Sequence, residues 1–243
     1  MGGIRHAFPP TRHSVVIAAV SENATIRQQA FDELIVVYWK PVYKYIRIKW
    51  QISNEDAKDL TQEFFAAAFE KAFFQSYDPE KSKFRTFVRI CVDGLVRNAS
   101  KAAGRIKRGG HTQTVPLDFE TAELELNRVE IPRNTNPDEF FDREWIRSLF
   151  EIALSDFRTE CEKSGKLTQF ALFERYDIDP PVEGRPSYRQ LAGEFQIPIT
   201  QVTNFLAASR NEFRRYVLDR LRRITGSNAE FRSEAHRLLG VES

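Results

Sequence analysis

The sequence predicts an all-α chain, organised as two helical domains joined by a linker. Three observations carry this. Apolar residues recur at three- and four-residue steps in almost every patterned segment, and alternating apolar/polar stretches of the strand kind are absent. The helical pattern dissolves from Gly109 to Pro137, where Pro, Asn, Thr and acids accumulate. Finally, Ser187–Arg215, SYRQLAGEFQIPITQVTNFLAASRNEFRR, reads as two short amphipathic helices joined by a tight turn, a helix-turn-helix pattern. The resulting division is a first domain over 1–108, a linker over 109–136, a second domain over 137–223 and a tail over 224–243.

The first long helix is expected over about Thr25–Trp50, with Phe31, Leu34, Ile35, Tyr38, Val42, Tyr45 and Ile46 on its buried side. Pro41 lies inside it and predicts a kink or break, because it has no N–H and its ring crowds the preceding turn. Ser53, followed three residues later by Asp56, supplies N-cap chemistry for a second helix reaching about Phe74. Its core candidates are Leu60, Phe64, Ala67, Ala68, Phe69 and Ala72. Tyr77-Asp-Pro-Glu-Lys81 is a polar turn, and a third helix follows from about Phe84 to Lys107, closed by Gly104 and Gly109-Gly110. Only Thr121–Arg128 is weakly helical within the linker. Helices resume at about Pro137–Ser164, with Trp145, Leu149, Ile152, Ala153 and Phe157 as core positions, and at Leu167–Tyr176. A Pro-rich loop over Asp179–Pro186 leads to the helix pair, and Ala229–Leu239 is a last helix in the tail.

Composition narrows the function classes. Apolar content is 42% of 243 residues and the formal net charge is only +2, so the sum of charges does not announce nucleic acid. Their distribution does more. Arg85, Arg89, Arg97, Lys101, Arg105, Lys107 and Arg108 form one run containing a single acid, Asp93, whereas acids collect in Glu55–Glu63 and Glu120–Glu151. Cys91 and Cys161 stand far apart with no metal-ligand spacing, which fits reduced thiols in a cytoplasmic protein. The apolar run Val15–Val20 is too short for a signal peptide, no segment reaches transmembrane length, and the N-terminal residues lack a myristoylation signal. His6, His13, His111 and His236 sit in terminal or linker segments without paired acids, so no catalytic residues and no cofactor are expected.

Three constellations remain. Asp56, Asp59, Gln62 and Glu63 fall at three- and four-residue steps on one helix face, which suits either a solvated surface or a protein-docking face. A divalent metal would need more ligands than this spacing offers, so no metal is expected. The second constellation sets Phe73, Phe74, Tyr77, Phe84 and Phe87 beside the basic run. Aromatics next to a cationic helix suit unstacked single-stranded bases, although buried core aromatics would give the same pattern. The third lies in the helix pair. Tyr188, Leu191, Ala192 and Phe195 make one stripe; Ile199, Val202, Leu206, Ser209 and Phe213 make the next, with Pro198 suited to a first helical turn. The other face of the second helix carries Thr200, Gln201, Thr203, Asn204, Ala208 and Asn211, then Arg210, Arg214 and Arg215. Short polar groups near a helix N-terminus followed by arginines fit base edges and phosphates, while an ordinary helical hairpin would leave the same face to solvent. Gln196 stands where many such turns place Gly; a non-Gly residue held at positive φ costs about 1 kcal/mol, so the turn is expected to differ slightly from the usual one.

Taken in order, DAKDLTQEFF at Asp56–Phe65, FRTFV at Phe84–Val88, the basic helix and the C-terminal helix pair resemble a bacterial RNA polymerase sigma factor. The extracytoplasmic-function type, which has only the second and fourth sigma regions, is the nearest match, and the resemblance takes in YWKPVYKYIR at Tyr38–Arg47 and covers nearly the whole chain. It implies that Asp56, Asp59, Gln62 and Glu63 dock on the coiled-coil clamp of the largest subunit of core RNA polymerase. It implies minus-10 DNA contacts from Tyr77, Lys83, Arg85, Arg89, Arg97, Asn98, Lys101 and Arg105. Minus-35 contacts would come from Thr200, Gln201, Thr203, Asn204, Ala208, Arg210, Asn211 and Arg214. The chain departs from many relatives at Gly94, where they carry Asn, and at Thr203 and Phe205, where they carry Lys or Arg. A factor of this kind works by binding core polymerase and promoter DNA and is not an enzyme. The alternatives are a helix-turn-helix regulator acting without polymerase and a sigma-like adaptor that reads no promoter. The linker and tail, longer than a minimal member needs, are the candidate seats of an anti-sigma or self-inhibitory contact.

Overall fold

The computed structural model describes residues 14–70, 73–101, 116–128, 131–132, 134–182 and 184–240. Among these, every regular element is helical and no strand occurs, as the periodicity predicts. A four-residue turn of helix, α1 (Val15–Ala18), precedes α2 (Ala24–Trp50), α3 (Asn54–Glu70), a 3₁₀ turn (Phe73–Ser76) and α4 (Phe84–Lys101). Then come α5 (Phe119–Asn127), α6 (Pro137–Lys163), α7 (Leu167–Phe173), a π-helical turn (Glu174–Ile178), α8 (Tyr188–Glu194), α9 (Ile199–Ile224) and α10 (Asn228–Leu239). No helix among the described residues is long and apolar enough to cross a membrane.

The backbone groups into two compact units. One holds the chain up to Ser148 together with everything from Leu221 onward, and the other holds Leu149–Arg220. The boundaries drawn from composition at 108, 136 and 223 do not coincide with this packing. Segment 119–127, assigned to a linker, is helical and sits on α2, and the tail helix α10 sits on α4. Both segments are short and rich in charge, so their few apolar groups do not stand out from a linker or tail composition.

In the first unit α2 is the central element. Asn23 caps its start, its Oδ1 accepting from the amides of Thr25 (3.0 Å) and Ile26 (3.1 Å). Gln51, left-handed at φ 50°, ends it. All seven expected core residues of α2 are buried. An aromatic cluster gathers around them: Phe74 lies 5.4 Å from Phe31 and 5.2 Å from Phe84, and Tyr38 meets Phe84 edge-on at 5.7 Å. In α3 the buried set is Ala57, Thr61, Phe64, Phe65 and Ala68. Of the expected core residues, Phe64 and Ala68 hold, Leu60, Ala67 and Phe69 are half-buried, and Ala72 lies outside the described residues.

The helix α2 runs through Pro41 without the expected break. Pro41 cannot donate to the carbonyl of Val37, one turn earlier, and an unmatched buried carbonyl is costly. That carbonyl instead accepts from Ser148 Oγ on α6, at 2.9 Å and 111 positions away. Replacing Ser148 by Ala is therefore expected to destabilise the first unit by about 1–3 kcal/mol, because it leaves the Val37 oxygen buried without a donor. Urea unfolding monitored by circular dichroism reads this directly.

The second unit has two adjoining cores. Phe157, Cys161, Phe170 and Phe173 form one, with Phe213 and Tyr216 packed against it. Leu172, Leu191, Val202 and Leu206 form the other, bordered by Tyr176, Tyr188 and Phe195. Ser187 opens α8 with a reciprocal cap: its Oγ accepts from the Gln190 amide (3.3 Å), and Gln190 Oε1 accepts from the Ser187 amide (2.7 Å). Gln196 adopts the left-handed conformation at φ 53°, so the turn keeps the geometry usual for Gly and the expected departure does not occur there.

Candidate functional site

The three constellations fall on or beside three different helices, α3, α4 and α9. On α3, Ser53 caps the helix by accepting from the Asp56 amide (3.2 Å) while its hydroxyl donates to Asp56 Oδ2 (2.7 Å). Asp56, Asp59, Gln62 and Glu63 are all exposed, and the buried residues Ala57, Thr61, Phe64 and Phe65 occupy the other side. Thr61 lies in the core because its hydroxyl donates to the Ala57 carbonyl within the helix, at 2.7 Å. The result is an acidic, solvent-facing ridge on a well-packed helix. No cluster of potential metal ligands occurs among the described residues.

The basic run behaves differently, since α4 divides its cations between two environments. Arg97 and Asn98 are exposed near the C-terminal end, and Lys101 closes the described part of the helix; Arg105 lies outside the described residues. Toward the N-terminal end the cations are engaged. Arg85 is buried and forms a two-point pair with Asp142 of α6, Nε to Oδ1 at 2.9 Å and Nη2 to Oδ2 at 3.3 Å. Its Nη1 lies 2.7 Å from Glu234 Oε1 of α10, and its guanidinium stacks 5.0 Å above the Trp145 ring. Arg89 pairs with Asp138 of α6, and Lys83 pairs with Glu234. The Tyr77 hydroxyl donates to Glu230 at 3.2 Å; burial, then the Glu230 charge, push that phenol above its ordinary range. Phe84 is fully buried and Phe87 partly so, which assigns the aromatics here chiefly to the core.

Glu234 is wholly buried at the centre of this cluster. Burial alone would push its carboxyl up; hydrogen bonds and charge from Arg85 and Lys83, with Arg237, overcome that and hold it at about 2. A hollow lined by Glu63, Ala67, Phe73, Cys91, Leu95 and Asn98 opens between α3 and α4. Burial pushes the Cys91 thiol up to about 11, so it stays protonated near neutrality and is a poor nucleophile.

On α9, Thr200, Thr203, Asn204, Ala208, Arg210, Asn211 and Arg214 are exposed and Gln201 is half-buried, while Val202, Leu206 and Ser209 face the core. The expected division of faces is therefore present, except that Ile199, placed in the apolar stripe, is 47% exposed in the first turn. Arg210 is held by Asp177, Nε to Oδ2 at 2.8 Å and Nη2 to Oδ1 at 3.1 Å, and stands 5.6 Å from the Tyr176 ring centroid. Arg215 bends back to Glu212 at 2.7 Å on its own helix.

Two groups of residues escape a reading of the sequence. On α5, Glu123 takes Arg47 in a two-point pair (2.6 and 3.1 Å), and Glu125 takes Lys40 and Lys44 (2.8 Å each). Phe119 sits edge-on to Trp39 and Tyr43 at 5.5 and 5.2 Å. On α10, Glu230 and Glu234 turn inward while Arg232 and His236 face solvent. Only the weak periodicity of Thr121–Arg128 and the one-turn spacing of Glu230 and Glu234 hint at either.

Residues 35–106 match the family model of sigma-70 region 2. Neither a curated protein nor a solved structure matches the chain. The matched stretch begins in α2 and contains the whole of α3 and α4, so both the acidic ridge and the basic helix fall inside it. Over these 72 of its 243 residues the chain is similar to sigma-70 region 2.

Proposed function

We propose that this chain is a sigma factor of the extracytoplasmic-function type, which binds core RNA polymerase in the cytoplasm and directs initiation at a limited set of promoters. The observation that carries the reading is the region 2 match over 35–106, which encloses an exposed acidic ridge and a basic helix in the order such a factor needs. In this reading the ridge of Asp56, Asp59, Gln62 and Glu63 docks on the polymerase clamp. The Tyr77–Arg105 region then holds the opened minus-10 strand, and α8 with α9 acts as a helix-turn-helix on minus-35 duplex. Exposed short polar groups at the start of α9 suit base edges, and Arg210 and Arg214 suit phosphates. Such a factor lowers the barrier to strand opening by binding the opened state, without a covalent step of its own.

The ridge residues are exposed, so substituting them leaves the fold intact within about 0.5 kcal/mol. Asp59→Arg is expected to weaken binding to core polymerase at least about tenfold, which is the 1.4 kcal/mol scale of one reversed interfacial charge. Asn204→Ala is expected to leave core binding unchanged and to weaken binding to minus-35 duplex. Fluorescence titration of both variants against core enzyme and against duplex separates the two roles; equal losses in both would contradict the division.

A further inference from the structure

We propose that α10 is an intramolecular latch, whose Glu230 and Glu234 occupy the edge of region 2 that would otherwise receive the backbone phosphates of a DNA strand. The inference rests on the sigma-factor reading and adds a means of regulating it. Glu230 Oε1 accepts from the Phe84 amide, the first N–H of α4, at 2.8 Å, and its Oε2 accepts from the Gly226 amide at 2.8 Å and from the Tyr77 hydroxyl. Free amides at a helix start and the helix dipole make that position an anion site, and here a carboxylate fills it. One turn later Glu234 contacts Lys83 and Arg85, which are the other groups at this edge able to hold a phosphate. The two acids thus engage the donors that an anionic strand would use.

The remainder of the segment is shaped for this docking. Gly226 lies against Tyr77 so closely that a Cβ would stand 2.4 Å from the ring. Ser14 Oγ donates to the Thr225 carbonyl at 2.6 Å, Arg223 pairs with Glu33, and the Arg222 guanidinium lies 4.1 Å from the Phe231 ring centroid. Arg232 and His236 point outward, so α10 offers its negative charge to region 2 and not to solvent. Arg89 is held by Asp138 of α6 independently of α10, and Arg97 and Asn98 stay exposed. On region 2 the latched chain therefore presents the C-terminal part of α4 to DNA, and release of α10 adds Tyr77, Lys83, the Phe84 amide and the Nη1 edge of Arg85, whose Nε and Nη2 stay with Asp142 of α6.

The test uses the full chain and a fluorescein-labelled single-stranded oligodeoxythymidylate, titrated at several salt concentrations with and without core polymerase. Two variants open the latch by different routes. Gly226→Val wedges the segment away from Tyr77 without changing charge, and Glu230→Gln/Glu234→Gln removes the carboxylates. Hydrogen exchange of the α10 and Phe84 amides reports whether docking is lost. The proposal expects lost protection in both, about tenfold tighter DNA binding in both, and a log–log salt slope steeper by about 0.7 for each additional phosphate neutralised. An undocked Gly226→Val chain with unchanged affinity and slope would overturn the latch and leave the sigma reading standing. Full protection of α10 in both variants would also overturn it, since docking would then not depend on these contacts. DNA binding by no form, even with core polymerase, would remove the sigma reading and the latch together.

Discussion

Replacing Lys44 by Met is expected to destabilise the first unit by about 3–5 kcal/mol, the range for breaking a buried ion pair from one side. Lys44 is 1% exposed within α2, and its ammonium sits 2.8 Å from Glu125 Oε2 of α5 and 2.6 Å from Glu144 Oε2 of α6. A buried lysine survives only with such partners, since moving its charge from water is expensive. Methionine fits the space but removes the closest cation from Glu144, whose side chain is 7% exposed, and leaves it to the half-exposed Arg147 at 3.1 Å. The double variant Lys44→Met/Glu144→Met should recover most of the loss, because a matched apolar pair in place of a buried ion pair is often close to neutral. A single-variant loss below about 1 kcal/mol in urea unfolding would show that this cluster does not bind α2, α5 and α6 together.

The second large effect is acid lability centred on Glu234. Its carboxyl titrates at about 2 in the folded chain against 4.5 for the ordinary group. With the folded value depressed, the stabilisation is complete above about pH 4.5 and is lost as pH falls through about 2. A gap of that size corresponds to a contribution on the order of 3 kcal/mol at neutral pH. Glu234→Gln should therefore be less stable than the parent by that order at pH 7, and the two should converge by pH 2. Parallel stability curves across this window would place the stabilising charge elsewhere. Ionisation over the whole neutral range also means that the α10 latch does not open by mild acidification; a competing anion or partner has to displace it.

The parts of this fold that were legible are those where one helix decides its own fate. The stripe of α2 from Phe31 to Ile46 could be read because its burial follows a single period. The acidic ridge needed only the spacing of Asp56, Asp59, Gln62 and Glu63. What escaped depends on groups far apart in the chain. Pro41 keeps α2 intact because Ser148 donates to the carbonyl it abandons. The cations in and just before α4 look free in the sequence, yet Arg85 and Lys83 meet carboxylates 57 and 151 positions away. Glu234 has the spacing of a surface residue and becomes buried only because three cations surround it.

The basic helix takes on a narrower role as a result. Its aromatic neighbours are chiefly core, so DNA contacts at its N-terminal end would rest on Tyr77, Lys83, Arg85 and a helix-terminal amide, not on a row of stacking rings. At the other end Arg97 and Asn98 are exposed whatever α10 does. A chain built this way should bind promoter DNA weakly alone and more tightly once polymerase is engaged.

Promoter-specific run-off transcription, with purified core RNA polymerase, the full chain and a library of genomic promoter fragments, tests the central claim most directly. The account predicts discrete transcripts from a small set of fragments that share upstream elements, appearing only when both protein components are present. Stable binding to core enzyme with no transcript from any fragment would contradict it and would leave the chain a polymerase-binding protein that does not initiate.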